Sequence, residues 1–199
     1  MRTWNEEEIR DALRLYAVTD RSWLRGRSFK EVLQETLSAG GITCVQLREK
    51  HAAPEEKETL AREAQALCAQ AGIPFLIDDD VELALRIGAD GVHIGQMISP
   101  VLRRVVRLAT RPSSALRRNA RAARKAEAEG ADYLGVARCS QRRRSKTRGR
   151  SIMRYCGRFA SRFSIPVVAI GGITADNARE LAGTGIAGIA VVFSDLRAG

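Results

Sequence analysis

FLIDDDVELALRIGADGVHIGQ, Phe75 to Gln96, is the stretch that decides the fold. Phe75–Ile77 and Gly91–Ile94 are short apolar runs, too brief for helices and bounded by Asp and Gly, so both read as buried strands. Val81–Ile87 between them reads as a helix, with Gly88 in the place of a C-cap glycine. A strand that passes through a helix to a second buried strand is the repeating unit of a parallel sheet.

Working outward, the same alternation recurs. Leu15–Thr19 (LYAVT) and Ile42–Leu47 (ITCVQL) read as strands. Ser28–Ser38 reads as a helix, with Phe29, Val32, Leu33 and Leu37 at helical spacing, and Pro54–Ala71 as another, with Pro54 suited to its first turn. Toward the C-terminus the pattern predicts helices over Ala120–Glu129 and Asp176–Ala182 and strands over Tyr133–Val136, Val167–Ile170 and Ile189–Val192. A less marked strand near Ser113–Leu116 brings the number to eight. The phrases AGGITCVQL, IGADGVHI, EGADYLGV and GTGIAGIAVV each lead a small-residue turn into a strand. The expected architecture is an α/β protein, one (βα)8 TIM-barrel domain over residues 1–199, which stops close behind its eighth strand without a closing helix; a doubly wound open sheet is the alternative.

With 199 residues and 45% hydrophobic composition, the chain can bury one substantial core. It has no run of 18 apolar residues, and its start, rich in Glu6, Glu7 and Glu8, lacks the basic and apolar regions of a signal peptide, so a cytoplasmic protein is expected. Cys44, Cys68, Cys139 and Cys156 show no metal-ligand spacing and are read as reduced, packed thiols. The net charge of +10 is unevenly spread. Met97–Phe163 holds 19 Lys and Arg against 3 acidic residues, whereas the remainder holds 14 against 20. An acidic protein of ordinary composition thus carries a basic block, in two anomalous segments at 97–118 and 137–163.

Several strand ends carry residues able to do chemistry. Gln46, Arg48 and Lys50 recur at every second position, which on strand periodicity turns all three to one face. A planar guanidinium and a mobile ammonium there suit a diphosphate, and a solvated charged edge with Glu49 as partner is the alternative. Asp78, Asp79 and Asp80 directly follow an apolar strand. Adjacent carboxylates raise one another's pKa unless a cation or a helix N-terminus compensates, so Asp80 is read as a helix cap and Asp78 and Asp79 as candidates for Mg²⁺. His93 and His51 are potential general bases, although neither sits near a nucleophile in a recognisable constellation. Gly171 and Gly172 end a strand ahead of Asp176 or Asn177 as a helix cap, and paired glycines let backbone N–H groups approach a phosphate.

LYAVTD (Leu15–Asp20), VQLREK (Val45–Lys50), FLIDDDVELALRIGADGVHIGQ, EGADYLGV (Glu129–Val136) and IPVVAIGGI (Ile165–Ile173), in this order, resemble the thiamine phosphate synthase family. The resemblance implies that Gln46, Arg48 and Lys50 grip the diphosphate of a pyrimidine substrate, with Asp78 nearby where many relatives have Asn. It implies Asp79 as a Mg²⁺ ligand, and Gly172 with the backbone near Val192 as contacts of a thiazole phosphate. The implied reaction needs no covalent intermediate: Mg²⁺ and cationic groups stabilise departing pyrophosphate, and the thiazole nitrogen attacks the pyrimidine methylene cation. The implied partners are these two small molecules, with neither membrane nor nucleic acid expected. A thiazole tautomerase-like barrel and an Arg-rich nucleic-acid-binding protein, the latter suggested by seven basic residues without an acid in Arg138–Arg150, are the rival readings.

The family pattern breaks inside the basic block. A second metal-binding Asp is replaced by Ile98, a GVSA-like strand by Ala115, Leu116, Arg117 and Arg118, and a phosphate loop by SQRRRS, Ser140–Ser145. Read one base earlier, codons permitted for VARCSQRRRS (Val136–Ser145) can spell GAMFPTATK, and those for Met97–Pro100 can spell DDLP. The losses and the charge anomaly therefore predict local displacement of the reading frame. For the polypeptide as written they predict weak or absent synthase activity.

Overall fold

In a computed structural model the chain is described over residues 4–21, 24, 26–94, 113–117, 120–137 and 155–192, with the backbone alone at 113–117, 120 and 137. The expectations for Ile98, Arg118, Cys139, Ser140–Ser145 and Arg138–Arg150 fall outside these residues. Helix α1 (Glu6–Ala12) precedes β1 (Leu15–Val18), α2 (Phe29–Ser38), β2 (Cys44–Leu47), α3 (Pro54–Gln70), β3 (Phe75–Asp78), α4 (Val81–Ile87) and β4 (Gly91–Ile94). Then come β5 (Ser113–Arg117), α5 (Ala120–Ala128), β6 (Tyr133–Ala137), α6 (155–160), β7 (Val167–Ile170), α7 (Ala175–Ala178), a 3₁₀ turn (Arg179–Leu181) and β8 (Gly188–Val192).

All eight strands pair in parallel and in chain order, and β8 returns to β1 with Leu15 opposite Ile189 and Val18 opposite Val192. The barrel is closed, and the open-sheet alternative is set aside. The faintly marked β5 is a full member, pairing Val92 with Ser113 on one side and Ser114 with Tyr133 on the other.

Burial explains why the strand sequences are nearly continuous apolar runs. Their outer faces pack under helices in two clusters. One joins Val45, Leu47, Phe75 and Ile77 to Val32, Leu33 and Leu83, and the other joins Leu134, Val136, Val167 and Ala169 to Phe159 and Leu181. Each such fully buried aliphatic side chain contributes about 1.5–3 kcal/mol. A third cluster fills the barrel itself with Tyr16, Val18, Leu76, Tyr133, Val168 and Ala190, closed from below by Ile9 and Leu13 of α1.

Local chemistry sets the helix ends. Asp80 caps α4 by accepting from Leu83 N at 3.0 Å, and Gly88 ends it in the left-handed conformation at φ 71°. Two details differ from expectation. The helix sought over Asp176–Ala182 is one α-helical turn from Ala175 followed by the 3₁₀ turn, and its cap is Thr174 rather than Asp176 or Asn177. Asn177 instead sits three residues inside, where its side chain accepts from Thr174 N at 2.9 Å to close a capping box. Helix α1 was not anticipated, although Asn5 and Glu8 form the same reciprocal device, each side chain accepting from the other's backbone N–H at 2.9 Å.

Cys44, Cys68 and Cys156 are buried. Burial, followed by the nearby Asp90 carboxylate, pushes the Cys68 thiol up to about 12, so it is inert at neutral pH. Among the described residues no helix is long and apolar enough to cross a membrane.

Candidate active site

The C-terminal ends of β2 and β3 bring most of the sequence candidates together. Gln46 lies inside the barrel, 3% exposed. Arg48 and Lys50 lie beyond the strand, which ends at Leu47 because Arg48 N donates to the Thr19 hydroxyl at 3.0 Å rather than to a strand carbonyl. Strict strand alternation therefore covers Gln46 but not Lys50. Both cations nevertheless face Asp78: the Arg48 Nε lies 3.8 Å from Asp78 Oδ2, its Nη1 lies 3.7 Å from Asp20 Oδ2, and Lys50 acts on Asp78 through space. These long ion pairs leave the guanidinium loosely held between two carboxylates and partly open to solvent.

Glu49 does not partner Arg48 or Lys50. It is buried and accepts from Arg21 Nε at 2.7 Å, while Arg21 also reaches Glu56 at 2.6 Å. The cations on either side of Glu49 are thus available to another anion.

The three aspartates divide their tasks. Asp80 is the cap, and Lys57 Nζ donates to it at 2.8 Å. Burial pushes the Asp80 carboxyl up, but the Lys57 ammonium and the Leu83 N–H overcome it and hold the group below its ordinary range. Asp78, 9% exposed, has its pKa raised to about 6, first by burial and then by the adjacent Asp79 carboxylate, with Arg48, Lys50 and Lys57 pulling the other way. Asp79 is the only non-glycine described residue with positive φ, 58°, pinned by its N–H donating to His93 O at 2.8 Å. A left-handed Asp costs about 1 kcal/mol and turns the carboxylate off the strand line, a form of strain found at ligand sites.

Across the same mouth, Gly171 and Gly172 follow β7 with φ of 98° and 63°, consecutive left-handed positions that a side chain would disfavour. Gly172 O accepts from Asn177 Nδ2 at 2.9 Å, and Val192 ends the neighbouring strand β8. His93 does not stand alone in the mouth: it is buried in the barrel, with Nδ1 3.2 Å from the Tyr133 hydroxyl. His51 lies exposed in the loop after β2. Lys57, Tyr16 and Tyr133 join the site from outside the sequence motifs. The tyrosines' only signal was a hydroxyl inside an otherwise apolar strand.

Barrel closure, the cation pair and the acidic strand end agree with the match of residues 15–194 to the family described as thiamine monophosphate synthase. The chain belongs to that family. The thiamine-phosphate synthase of Geobacillus thermodenitrificans (strain NG80-2) is 39% identical over 193 residues, which cover 94% of this chain and 86% of that protein. The thiamine-phosphate synthase of Clostridium tetani (strain Massachusetts / E88) is 38% identical, covering 92% and 87%. Among solved structures, thiamine phosphate pyrophosphorylase from Pyrococcus furiosus superposes with a TM-score of 0.79 at 34% identity, over 92% of this chain and 87% of that one. Thiamine monophosphate synthase relatives are transferases of thiamine biosynthesis. Neither the tautomerase-like nor the nucleic-acid-binding alternative is favoured by these matches.

Proposed function

We propose that this chain condenses 4-amino-2-methyl-5-(diphosphooxymethyl)pyrimidine with thiazole phosphate, releasing pyrophosphate and forming thiamine phosphate in the cytoplasm. The observation that carries the reading is the convergence of Arg48 and Lys50 on the Asp78–Asp79 strand end, in a family whose named relatives perform this synthesis. Arg48 and Lys50, with Gln46 deeper in the barrel, hold the diphosphate; Gly172 and the backbone at Val192 receive the thiazole phosphate. Facing phosphates across one mouth would bring the thiazole nitrogen to the pyrimidine methylene carbon, so that positioning and charge stabilisation do the work.

The donor set fits Mg²⁺. Among the described residues no three His, Cys, Asp or Glu side chains gather into a complete metal site. Mg²⁺, however, is commonly held by one or two carboxylates with phosphate oxygens completing the shell. Asp79 would hold the ion, and Asp78, whose carboxyl is pushed up by burial and then by its neighbour, gains from a cation beside it. Bound there, the ion would neutralise charge building on the departing pyrophosphate.

Turnover is expected to be slow, because Ile98 and SQRRRS stand where the family pattern calls for a carboxylate and a phosphate loop. The test is product analysis with both substrates and Mg²⁺. Thiamine phosphate and pyrophosphate in equal amounts support the reading, and their absence at every enzyme concentration while both substrates bind rejects it. Asp79→Asn, which tolerates the left-handed backbone, is expected to abolish the Mg²⁺-dependent part of pyrophosphate binding, measured by calorimetry. Nucleotide sequence through codons 97–163 tests the displaced reading frame.

A further inference from the structure

Among the described residues, the barrel interior holds a file of polar groups that starts at Gln46 and continues through residues the proposed chemistry does not use. Gln46 Nε2 on β2 donates to the Tyr16 hydroxyl on β1 at 2.5 Å. The Tyr16 and Tyr133 hydroxyls, from β1 and β6, are 3.1 Å apart, and the Tyr133 hydroxyl is 3.2 Å from Nδ1 of His93 on β4. Tyr16 and Tyr133 are each 1% exposed. Barrel interiors are ordinarily filled with branched aliphatic residues, and phenylalanine would fill the two tyrosine positions without a buried hydroxyl to satisfy. The packing alone does not call for these hydroxyls.

Proton counting couples the file from end to end. Each hydroxyl has one hydrogen to donate. With His93 Nδ1 as the acceptor, the Tyr133 hydrogen goes to it, the Tyr16 hydrogen goes to Tyr133, and Gln46 donates into Tyr16; with Nδ1 carrying its proton, the same bonds run the other way. Burial, and then the neighbouring Tyr133, push the Tyr16 hydroxyl well above its ordinary range, so it keeps that hydrogen. Rotating the Gln46 amide by half a turn would place its carbonyl oxygen against Tyr16 and require every hydrogen in the file to reverse. The amide orientation, and with it the places of the second N–H and the carbonyl oxygen, is therefore tied through the two hydroxyls to the His93 tautomer.

We propose that Tyr16 and Tyr133 are positioning residues that set the amide orientation of Gln46, Tyr16 by direct contact and Tyr133 through Tyr16. This rests on the reading of Gln46 as a substrate-binding residue, and it assigns the interior of the barrel a part in ligand recognition.

The test has one arm without ligand and one with it. In protein labelled with ¹⁵N-glutamine, with the Gln46 resonance assigned by its loss in Gln46→Ala, both Tyr16→Phe and Tyr133→Phe are expected to shift the Gln46 side-chain amide signals. Tyr133 does not touch Gln46, so a merely structural tyrosine there would leave them in place. Calorimetry with the pyrimidine diphosphate and Mg²⁺ is expected to show about tenfold weaker binding for Tyr16→Phe and about threefold for Tyr133→Phe. In the Gln46→Ala background, Tyr16→Phe is expected to change binding by less than about twofold, the signature of a residue acting only through Gln46. An unmoved amide signal in Tyr133→Phe, or equal losses with and without Gln46, overturns the proposal. A wild-type chain that shows the amide signature but binds no pyrimidine diphosphate overturns the substrate reading of Gln46 and leaves the relay standing. The two Phe variants are independent, so if one fails to fold the other decides.

Discussion

At the floor of the barrel, Ile9 of α1 and Leu13 just beyond it cluster with Tyr16, Cys44 and Leu76, all apolar contacts. At the mouth, Asp78 is buried beside Asp79, Asp79 is held in a left-handed backbone, and Arg48 hangs between two carboxylates at 3.7 and 3.8 Å. The same eight strands thus run from an apolar, packed end to an end where two carboxylates are crowded together. That is the division expected of a barrel whose chemistry collects at the strands' C-terminal ends. Substitutions at the two ends should therefore fail differently: floor variants by unfolding, mouth variants by losing ligand while staying folded or growing more stable.

The largest effect is expected at Gly188, the floor residue at which β8 closes on β1. A Cβ there would lie 1.9 Å from Leu13 O and 2.6 Å from Arg14 Cα and O, all backbone atoms that cannot rotate aside. Gly188→Ala must push β8 away from the turn into β1 and loosen the Leu15–Ile189 pairing that seals the barrel. Urea denaturation should show a loss of about 3–5 kcal/mol, the upper range for overpacking. An alanine variant as stable as wild type would mean that the floor is softer than its packing indicates, and the comparison would break.

Arg48→Ala carries the opposite expectation. Its ion pairs are long and its side chain partly exposed, so stability should change by no more than about 0.5 kcal/mol. Affinity for the pyrimidine diphosphate should fall about 30-fold, some 2 kcal/mol, the usual worth of a charge-assisted contact to phosphate. Unchanged binding by calorimetry would remove Arg48 from the site.

The same division explains what could be read in the sequence. Strand and helix positions were legible because packing writes periodicity: Val32 and Leu33 face the barrel at helical spacing, and FLI and VVAI are continuous because both their faces are covered. Asp80 was legible as a cap because its residue type and place before Val81 have one local use. Contacts between distant residues leave no such trace. Tyr16 and Tyr133 meet across the barrel axis, and Gly188 is required by a turn at Leu13 far earlier in the chain. Helix α1, by contrast, does carry a local signal, the capping pair Asn5 and Glu8. Arg48 and Lys50 were assigned the right end of the barrel on a periodicity that stops at Leu47, and the loop brings them to Asp78 by another route.

The smallest effect is the one that most directly tests whether the mouth gives up stability. The Asp78 pKa is raised from 3.8 to about 6 in the folded chain, so between those values the folded state holds a proton that the unfolded state has released. Stability contributed at this site is present below pH 4, falls as pH rises through 4 to 6, and stays lost above 6. A shift of about two units corresponds to at most about 3 kcal/mol. Roughly half should be recovered by Asp78→Asn, since the amide removes the buried charge and its repulsion from Asp79 but also the attraction to Arg48. Metal-free Asp78→Asn is therefore expected to be about 1–2 kcal/mol more stable than wild type at pH 7 and equal to it near pH 4, with urea midpoints across that range as the measurement. Glu58 and Glu127, whose carboxyls are held below their ordinary range, gain stability as pH rises and act equally in both proteins, so the difference isolates Asp78. Mg²⁺ should narrow the gap by stabilising the ionised wild type. A variant less stable than wild type at pH 7 without metal would show that Arg48, Lys50 and Lys57 already compensate the acidic pair, and the mouth would then be as settled as the floor.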